Sequence, residues 1–371
     1  MTEPNEAPNH LSARQERAWF RISTIVLVLF FLVTGACLSW SQWQAKREDR
    51  ALWRALMDPS VPDPGVTAAE QAPTAGAIPV EVGVYVERIP KLSIKDSAWS
   101  VVFDIWFRWQ GDLRDPGEDF VLMEGTIMSK EKLDEATDGQ SHYARYRVVA
   151  ELTKAFRIER FPVDEHMLTI AIESGRSIRE RMLFVPDSTS TSISSRVSVP
   201  GYRLIRSVGI EKAHSYKTTR GDPRMPAGTK STFSQYRFGM AFKRDGWGLY
   251  LKMFQALYVA VIVSMLACFI KPTDVDPRFG LGVGGLFAAV ANSYLVGSYV
   301  PDTGQFALAD VVNALGILTI LVTIIESTIS LYLFDHRGEE ALSRKLDKAA
   351  FGIMLPCFLG VNLLLLIAAS A

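Results

Sequence analysis

The chain has 371 residues, with 40 basic and 40 acidic side chains and a formal net charge of zero. That balance argues against nucleic acid as a partner, because a phosphate backbone calls for a basic face. Apolar residues make up 48% and gather in long charge-poor runs, which points to a membrane protein rather than an ordinary soluble domain.

In chain order, residues 1–21 form a tail read as cytoplasmic, in which Arg14, Arg17 and Arg21 lead into a first apolar run at 22–40. That run is longer than the roughly 7–15 apolar residues of a secretory signal. A retained transmembrane anchor is expected, with a cleaved leader as the alternative. Residues 45–57 read as a helical continuation, with Trp43 and Trp53 near the interface. Residues 58–77 are rich in Pro, Ala and Gly, so the segment 41–78 as a whole reads as a helix extension followed by a linker, not a packed element.

From Pro79 the period changes to two. In VVFDIWFRW, Val101, Phe103, Ile105, Phe107 and Trp109 point one way, and Val102, Asp104, Trp106 and Arg108 the other. HYARYRVVAEL, LTIAIES and SQYRFGMAF repeat the alternation, with Tyr236, Phe238, Met240 and Phe242 on one face. Short alternating strands broken by turns predict an antiparallel β-sandwich over 79–245. Within it, FPVDEH at 161–166 must be a loop, because a proline has no N–H to give a central strand.

Four further apolar runs follow, at 249–270, 280–299, 309–334 and 350–371, inside a helical domain spanning 246–371. Each is long enough to cross the roughly 30 Å hydrocarbon core. The loop 271–278 is flanked by basic residues, and 336–348 carries Arg337, Arg344, Lys345 and Lys348, whereas 300–308 has no Lys or Arg. The positive-inside rule puts the first two loops in the cytoplasm and the third, with the β-domain, outside. Lys46, Arg47, Arg50 and Arg54 run against that bias. Cys37, Cys268 and Cys357 all lie in apolar runs, so the β-domain has no disulfide framework. His142, His166, His214 and His336 lack metal-ligand spacing. With no nucleophile–base pair or phosphate loop, neither an enzyme nor a cofactor is expected.

The order of parts resembles the pentameric ligand-gated ion channels, the Cys-loop receptor superfamily, and its prokaryotic branch in particular. FPVDEHML is similar to their FPFDxQxL loop. VEVGVYVERIPKLSIKDSAWSVVFDIWFRWQGDL is similar to their first two strands. DPRFGLGVGGLF resembles the start of their pore helix, and VPDTGQFALADVVNALGILTILVTIIES the following loop and third helix. The cysteine pair of the animal receptors is missing, as is the proline usual in the first channel helix. The stretch 111–142 is shorter than theirs, and the anchor helix is an addition. The resemblance implies a homopentamer in a bacterial inner membrane. A periplasmic β-domain would bind a small ligand or a proton, and a four-helix domain would conduct inorganic ions.

At helical spacing, Asp276, Gly280, Gly284, Phe287, Ala291 and Tyr294 form one stripe on the second channel helix. The stripe either lines a pore, with Phe287 as a dewetting gate, or serves helix packing through its small residues. Five copies of Asp276 would favour cations. Arg278, and a RFGLG run that looks more like the anion-selective members, argue the other way, and the cation reading is kept. By the same resemblance, Phe161, Pro162 and Val163 would meet the outer helix ends, and Pro301 lies in the loop between the second and third channel helices. Asp164 would pair with Arg244, and Asp96 would join them. That network either couples the domains or merely holds them together. Glu326 is a carboxylate in an apolar run and therefore a functional candidate, or a hydrogen-bonded structural site. The ligand loop would be 217–233, whose Arg220, Arg224 and Lys230 fit an acidic ligand as well as an amine one. Tyr216 and Phe233 are candidates either for contacting an amine or for the core. The alternative to a channel is a non-conducting membrane sensor, or a structural membrane subunit of the same architecture.

Overall fold

A computed structural model describes residues 13–72, 76–219, 221, 226, 229–301 and 304–370. Arg220 and Arg224 of the expected ligand loop lie outside the described residues. The chain divides into two compact units, one formed by Met1–Lys46, Ile158–Asp164 and Gly246–Ala371, the other by Arg47–Arg157 and Glu165–Asp245.

The first unit is helical. Among the described residues, five helices are long and apolar enough to cross a membrane. They are α1 (Ala13–Met57, of which this unit takes the part through Lys46), and four later helices. Among the later helices, Gly246–Met265 continues as a 3-10 turn over Leu266–Phe269, and Val275–Gly297, Leu308–Asp335 and Glu340–Ser370 follow. Two four-residue helices precede them in the other unit, so the later four are α4 to α7. Helix α1 runs in the same direction as α7. Phe20 packs beside Leu342 and Leu346, Gly35 abuts Val361, and Lys46 Nζ donates to the Ser370 carbonyl at 3.3 Å. Arg160 Nη1 donates to the Ala369 carbonyl at 3.1 Å. Two cations therefore meet the carbonyl-rich end of α7, where the helix dipole favours positive charge.

The second unit is the β-domain, with α2 (Ala68–Gln71), β1 (Ile78–Ser93), β2 (Ala98–Gln110), α3 (Pro116–Asp119), β3 (Phe120–Leu122), β4 (Gly125–Asp138) and β5 (Ser141–Thr153). Then come β6 (Glu165–Ser174), β7 (Met182–Pro186), β8 (Ser192–Ile193), β9 (Tyr202–Tyr216) and β10 (Ser231–Arg244). One sheet runs β4-β5-β2-β1-β7, with β8 also paired to β1, and the other runs β3-β6-β10-β9. Phe107 of β2 meets Phe120 of β3 at 5.9 Å between ring centroids, so the inner faces of the two sheets share a core. In VVFDIWFRW, Val101, Phe103, Ile105, Phe107 and Trp109 are all buried, but Val102 and Asp104 on the opposite face are buried too, so burial within that run alternates only from Trp106 on.

Two expectations change. The sandwich is not wholly antiparallel: β1 pairs in parallel with β7, from Ile78↔Met182 to Val82↔Pro186, and with β8. Side-chain alternation reports which face is buried and not which way the neighbouring strand runs, so the sequence did not carry that distinction. The Pro/Ala-rich segment 58–77, in turn, is anchored to the β-domain at particular residues, although most of its described residues are exposed. Strand β10 is buried on both faces, with Arg237 and Ala241 as inaccessible as Tyr236 and Phe238. Met57 presses on Gly239, where a β-carbon would lie 2.5 Å from Met57 Cε. Asp63 fixes the segment by accepting from Lys212 Nζ at 2.7 Å and from Arg237 Nη1 at 3.1 Å. Gln71 Oε1 accepts the Ala213 N–H at 3.0 Å.

Candidate functional site

Helix α5 presents two opposite faces. Arg278, Gly282, Gly285, Ala289, Asn292 and Val296 are buried in the bundle. Asp276, Gly280, Gly284, Phe287, Ala291 and Tyr294, the stripe read from the sequence, are all exposed in the single chain, Phe287 at 73% and Tyr294 at 80%. The glycines separate by role. A β-carbon on Gly285 would lie 1.9 Å from Ser264 Oγ and 3.0 Å from the Ala260 carbonyl, and one on Gly282 would lie 2.6 Å from Ile324 Cγ1. A β-carbon on Gly280 or Gly284 meets nothing within 4 Å. Close helix packing within the chain thus accounts for Gly282 and Gly285 and leaves Gly280 and Gly284 unexplained.

Behind the stripe, Arg278 turns inward. Its side chain is 0% exposed and binds Asp347 through Nη2 at 2.6 Å and Nη1 at 3.2 Å, with Nη1 also donating to the Ile270 carbonyl at 2.9 Å. Glu326 stands 3.8 Å from the same guanidinium, and Cys268 Sγ is 3.7 Å from it. The charge two residues after Asp276 is therefore neutralised inside the bundle. Asp347 was not singled out in the sequence, because it sits in a charged stretch that reads as an exposed cytoplasmic loop. Farther along α5, Asn292 donates to Asn313 of α6 at 2.8 Å. Such polar bonds between helices hold a bundle where burial of apolar surface gives no drive.

The FPVDEH loop meets the helical unit. Phe161 and Val163 are buried at 2% and 3%. The carbonyls of Glu159 and Phe161 accept the N–H groups of Leu308 and Ala309 at 2.9 and 3.1 Å, satisfying donors that the first turn of α6 leaves without helical partners. The Pro162 carbonyl lies against Gly246, where a β-carbon would be 2.1 Å away, and the Phe161–Pro162 peptide is cis. Pro301 lines a cavity of about 420 Å³ with Ile158 and Asp310. Phe161, Pro162 and Pro301 thus gather near the start of α6, and Asp164 is buried at the end of the loop. In the β-domain, Arg244 stacks over Tyr202, with its guanidinium carbon 4.4 Å from the ring centroid, and also bonds the Tyr202 hydroxyl. Asp96 is bound by Lys91 at 3.0 Å, which with the Ser93 hydroxyl holds its carboxyl below the usual carboxylate range.

Of the two ligand candidates, Phe233 is buried at 4% and Tyr216 half-buried, with rings 5.6 Å apart and edge-to-face. The Tyr216 hydroxyl donates to Glu173 Oε2 at 2.9 Å, and Gln235 Nε2 donates to Glu173 Oε1 at 2.7 Å; His214 Nδ1 contacts the same oxygen. Glu173, on β6, thus ties β6 to its neighbour β10 and, across it, to β9. It went unmarked in the sequence because LTIAIES reads as an ordinary alternating strand. No cluster of three or more His, Cys, Asp or Glu suited to a metal ion occurs among the described residues. No protein-family model matches this chain, and no curated protein matches it.

Proposed function

We propose that the chain is one subunit of a homopentameric, ligand- or proton-gated ion channel of a bacterial inner membrane. Ions would pass through a central pore lined by α5. The observation that carries this reading is the exposed face of α5. A helix face turned to lipid is expected to offer bulky apolar side chains, as α6 does with Leu318, Leu321 and Ile325. The exposed part of α5 does carry Val275, Val283, Val290 and Leu295, but it also offers a carboxylate, two glycines that touch nothing and an alanine, with Phe287 and Tyr294 toward its later end. Around a fivefold axis that composition gives a wide mouth at Asp276 and two aromatic constrictions, where an apolar ring blocks ions by dewetting. Inward pairing of Arg278 leaves Asp276 as the mouth charge, which supports cation selectivity.

Single-channel recording of purified protein in a planar bilayer, with a screen of pH and small amines, tests the proposal. Discrete openings with a cation-like reversal potential in a salt gradient are expected. A chloride-like reversal potential rejects the selectivity. Silence under every condition favours a non-conducting sensor or structural subunit.

A further inference from the structure

Arg50 and Arg54 run against the positive-inside bias, which weighs basic residues close to an apolar run, because they follow the anchor on the side expected to be outside. The folded β-domain gives them a common destination. The end of α1, with Asp58 and Pro59, forms one wall of a cleft of about 1,040 Å³, and β6, β9 and β10 form the other. Arg203 and Arg206 enter from β9 and Lys243 from β10, so five basic side chains line the cleft against two acidic ones, Asp58 and Glu165. Both acids are engaged. Lys243 bridges Glu165 at 3.2 Å, and Asp58 accepts the Ser60 N–H at 2.9 Å and its hydroxyl at 2.6 Å. The guanidinium groups of Arg50, Arg54, Arg203 and Arg206 are exposed, and none forms a salt bridge or side-chain hydrogen bond among the described residues. Trp53, Met57, Ile205 and Val208 add an apolar wall.

Like charges brought together around one hollow repel. Guanidinium forks match the paired oxygens of carboxylates and phosphates. The volume is at the upper end of the roughly 300–1,000 Å³ of small-molecule sites. A lipid headgroup is a poor occupant. The apolar run of α1 ends at Trp40, and Arg50 and Arg54 lie about 15 and 21 Å farther along a helix rising 1.5 Å per residue, whereas the headgroup layer is only about 5–8 Å deep, so Trp53 too lies beyond the interface at which the sequence alone places it. We infer that this cleft binds a soluble di- or polyanion that presents carboxylate or phosphate oxygens. The inference does not depend on ion conduction, so the two can fail separately.

Isothermal titration calorimetry of the purified full chain in uncharged detergent, with pyrophosphate and citrate as probes, tests it. Saturable binding of at least one probe is expected, weakening as salt rises. The R50Q/R54Q and R203Q/R206Q variants should each weaken binding about tenfold or more, the loss expected for charged hydrogen bonds. Replacing all four arginines by lysine keeps the charge and removes the forked donors; it should weaken binding several-fold, whereas a merely diffuse potential leaves the affinity as in wild type. Should a glutamine variant fail to fold, Ile205→Trp keeps every charge, narrows the cleft beside Arg203 and Arg206 and should weaken binding several-fold. Absence of saturable binding by either probe overturns the inference. So does an unchanged affinity in the glutamine, lysine or tryptophan variants, or binding to anionic-lipid nanodiscs that pyrophosphate does not displace.

Discussion

Asp63 carries one negative charge between two buried cations, Lys212 and Arg237. Burial opposes its ionisation, but the hydrogen bonds from Arg237 and Lys212 outweigh it and hold the carboxyl below its ordinary range. A carboxyl depressed in the folded state adds stability above its unfolded value, near pH 4, and loses it as pH falls through the folded value. Asp63→Asn should therefore flatten the acid limb of a stability–pH curve measured by chemical denaturation. At neutral pH it should cost roughly 3–5 kcal/mol, because two buried cations lose their counter-ion. Arg278 and Asp347 form a comparable pair inside the bundle. Either Arg278→Met or Asp347→Leu alone should lower the thermal midpoint sharply, while the double variant should recover only part of the loss, since it leaves the buried Glu326, 3.8 Å from that guanidinium, without its cation. Additive losses in that cycle would show the two side chains to be independent. Neither pairing was legible in the sequence: Asp63 sits among prolines and glycines, and Asp347 among surface-like charges.

Helix α5 separates packing from exposure along one element. Gly285→Ala should destabilise the bundle by about 1–3 kcal/mol, because the new methyl group meets Ser264 and the Ala260 carbonyl. Gly280→Ala and Gly284→Ala should leave thermal stability within about 1 kcal/mol, or raise it, since alanine is the better helix former and the space is open. On the channel reading the same two changes alter single-channel conductance. Loss of stability at Gly284 together with unchanged conductance would reassign that face to contact between helices. The stripe was legible in sequence because helical spacing alone defines it; which glycines touch a neighbour was not. Strand β4 was illegible for the opposite reason. It is exposed along nearly its whole length and rich in Lys, Glu and Asp, so it has no apolar face to alternate. Pairing with β5 holds it, and its charges suit an edge strand that must not recruit another chain.

For the whole molecule, the proposed homopentamer would place five copies of Asp276 around one mouth. Asp276→Lys should then shift the reversal potential toward that of the anion, read in a bilayer under a salt gradient. Light scattering of the detergent-solubilised protein, corrected for detergent, should give five chains per particle; a monomer would remove the basis of the pore. Loop 158–164 also belongs to this scale. It clusters with the helical unit although its sequence lies between strands, because its carbonyls satisfy the first amides of α6. Ala309→Pro would remove one of those donors, and should lower the folded yield without changing the far-ultraviolet signature of the strands.

The sequence by itself determined the membrane spans, the β-domain and the stripe on α5. Lipid demands long apolar helices and a half-buried strand demands alternation, so both leave a periodic record in the chain. Only the tertiary structure decided that Asp63 of the proline-rich segment pairs with Arg237 of β10, that Arg278 faces Asp347, and that arginines from α1 and β9 share one cleft. Those contacts join residues 69 to 174 positions apart, as in Arg278–Asp347 and Arg237–Asp63, and no local period encodes a partner at such a distance.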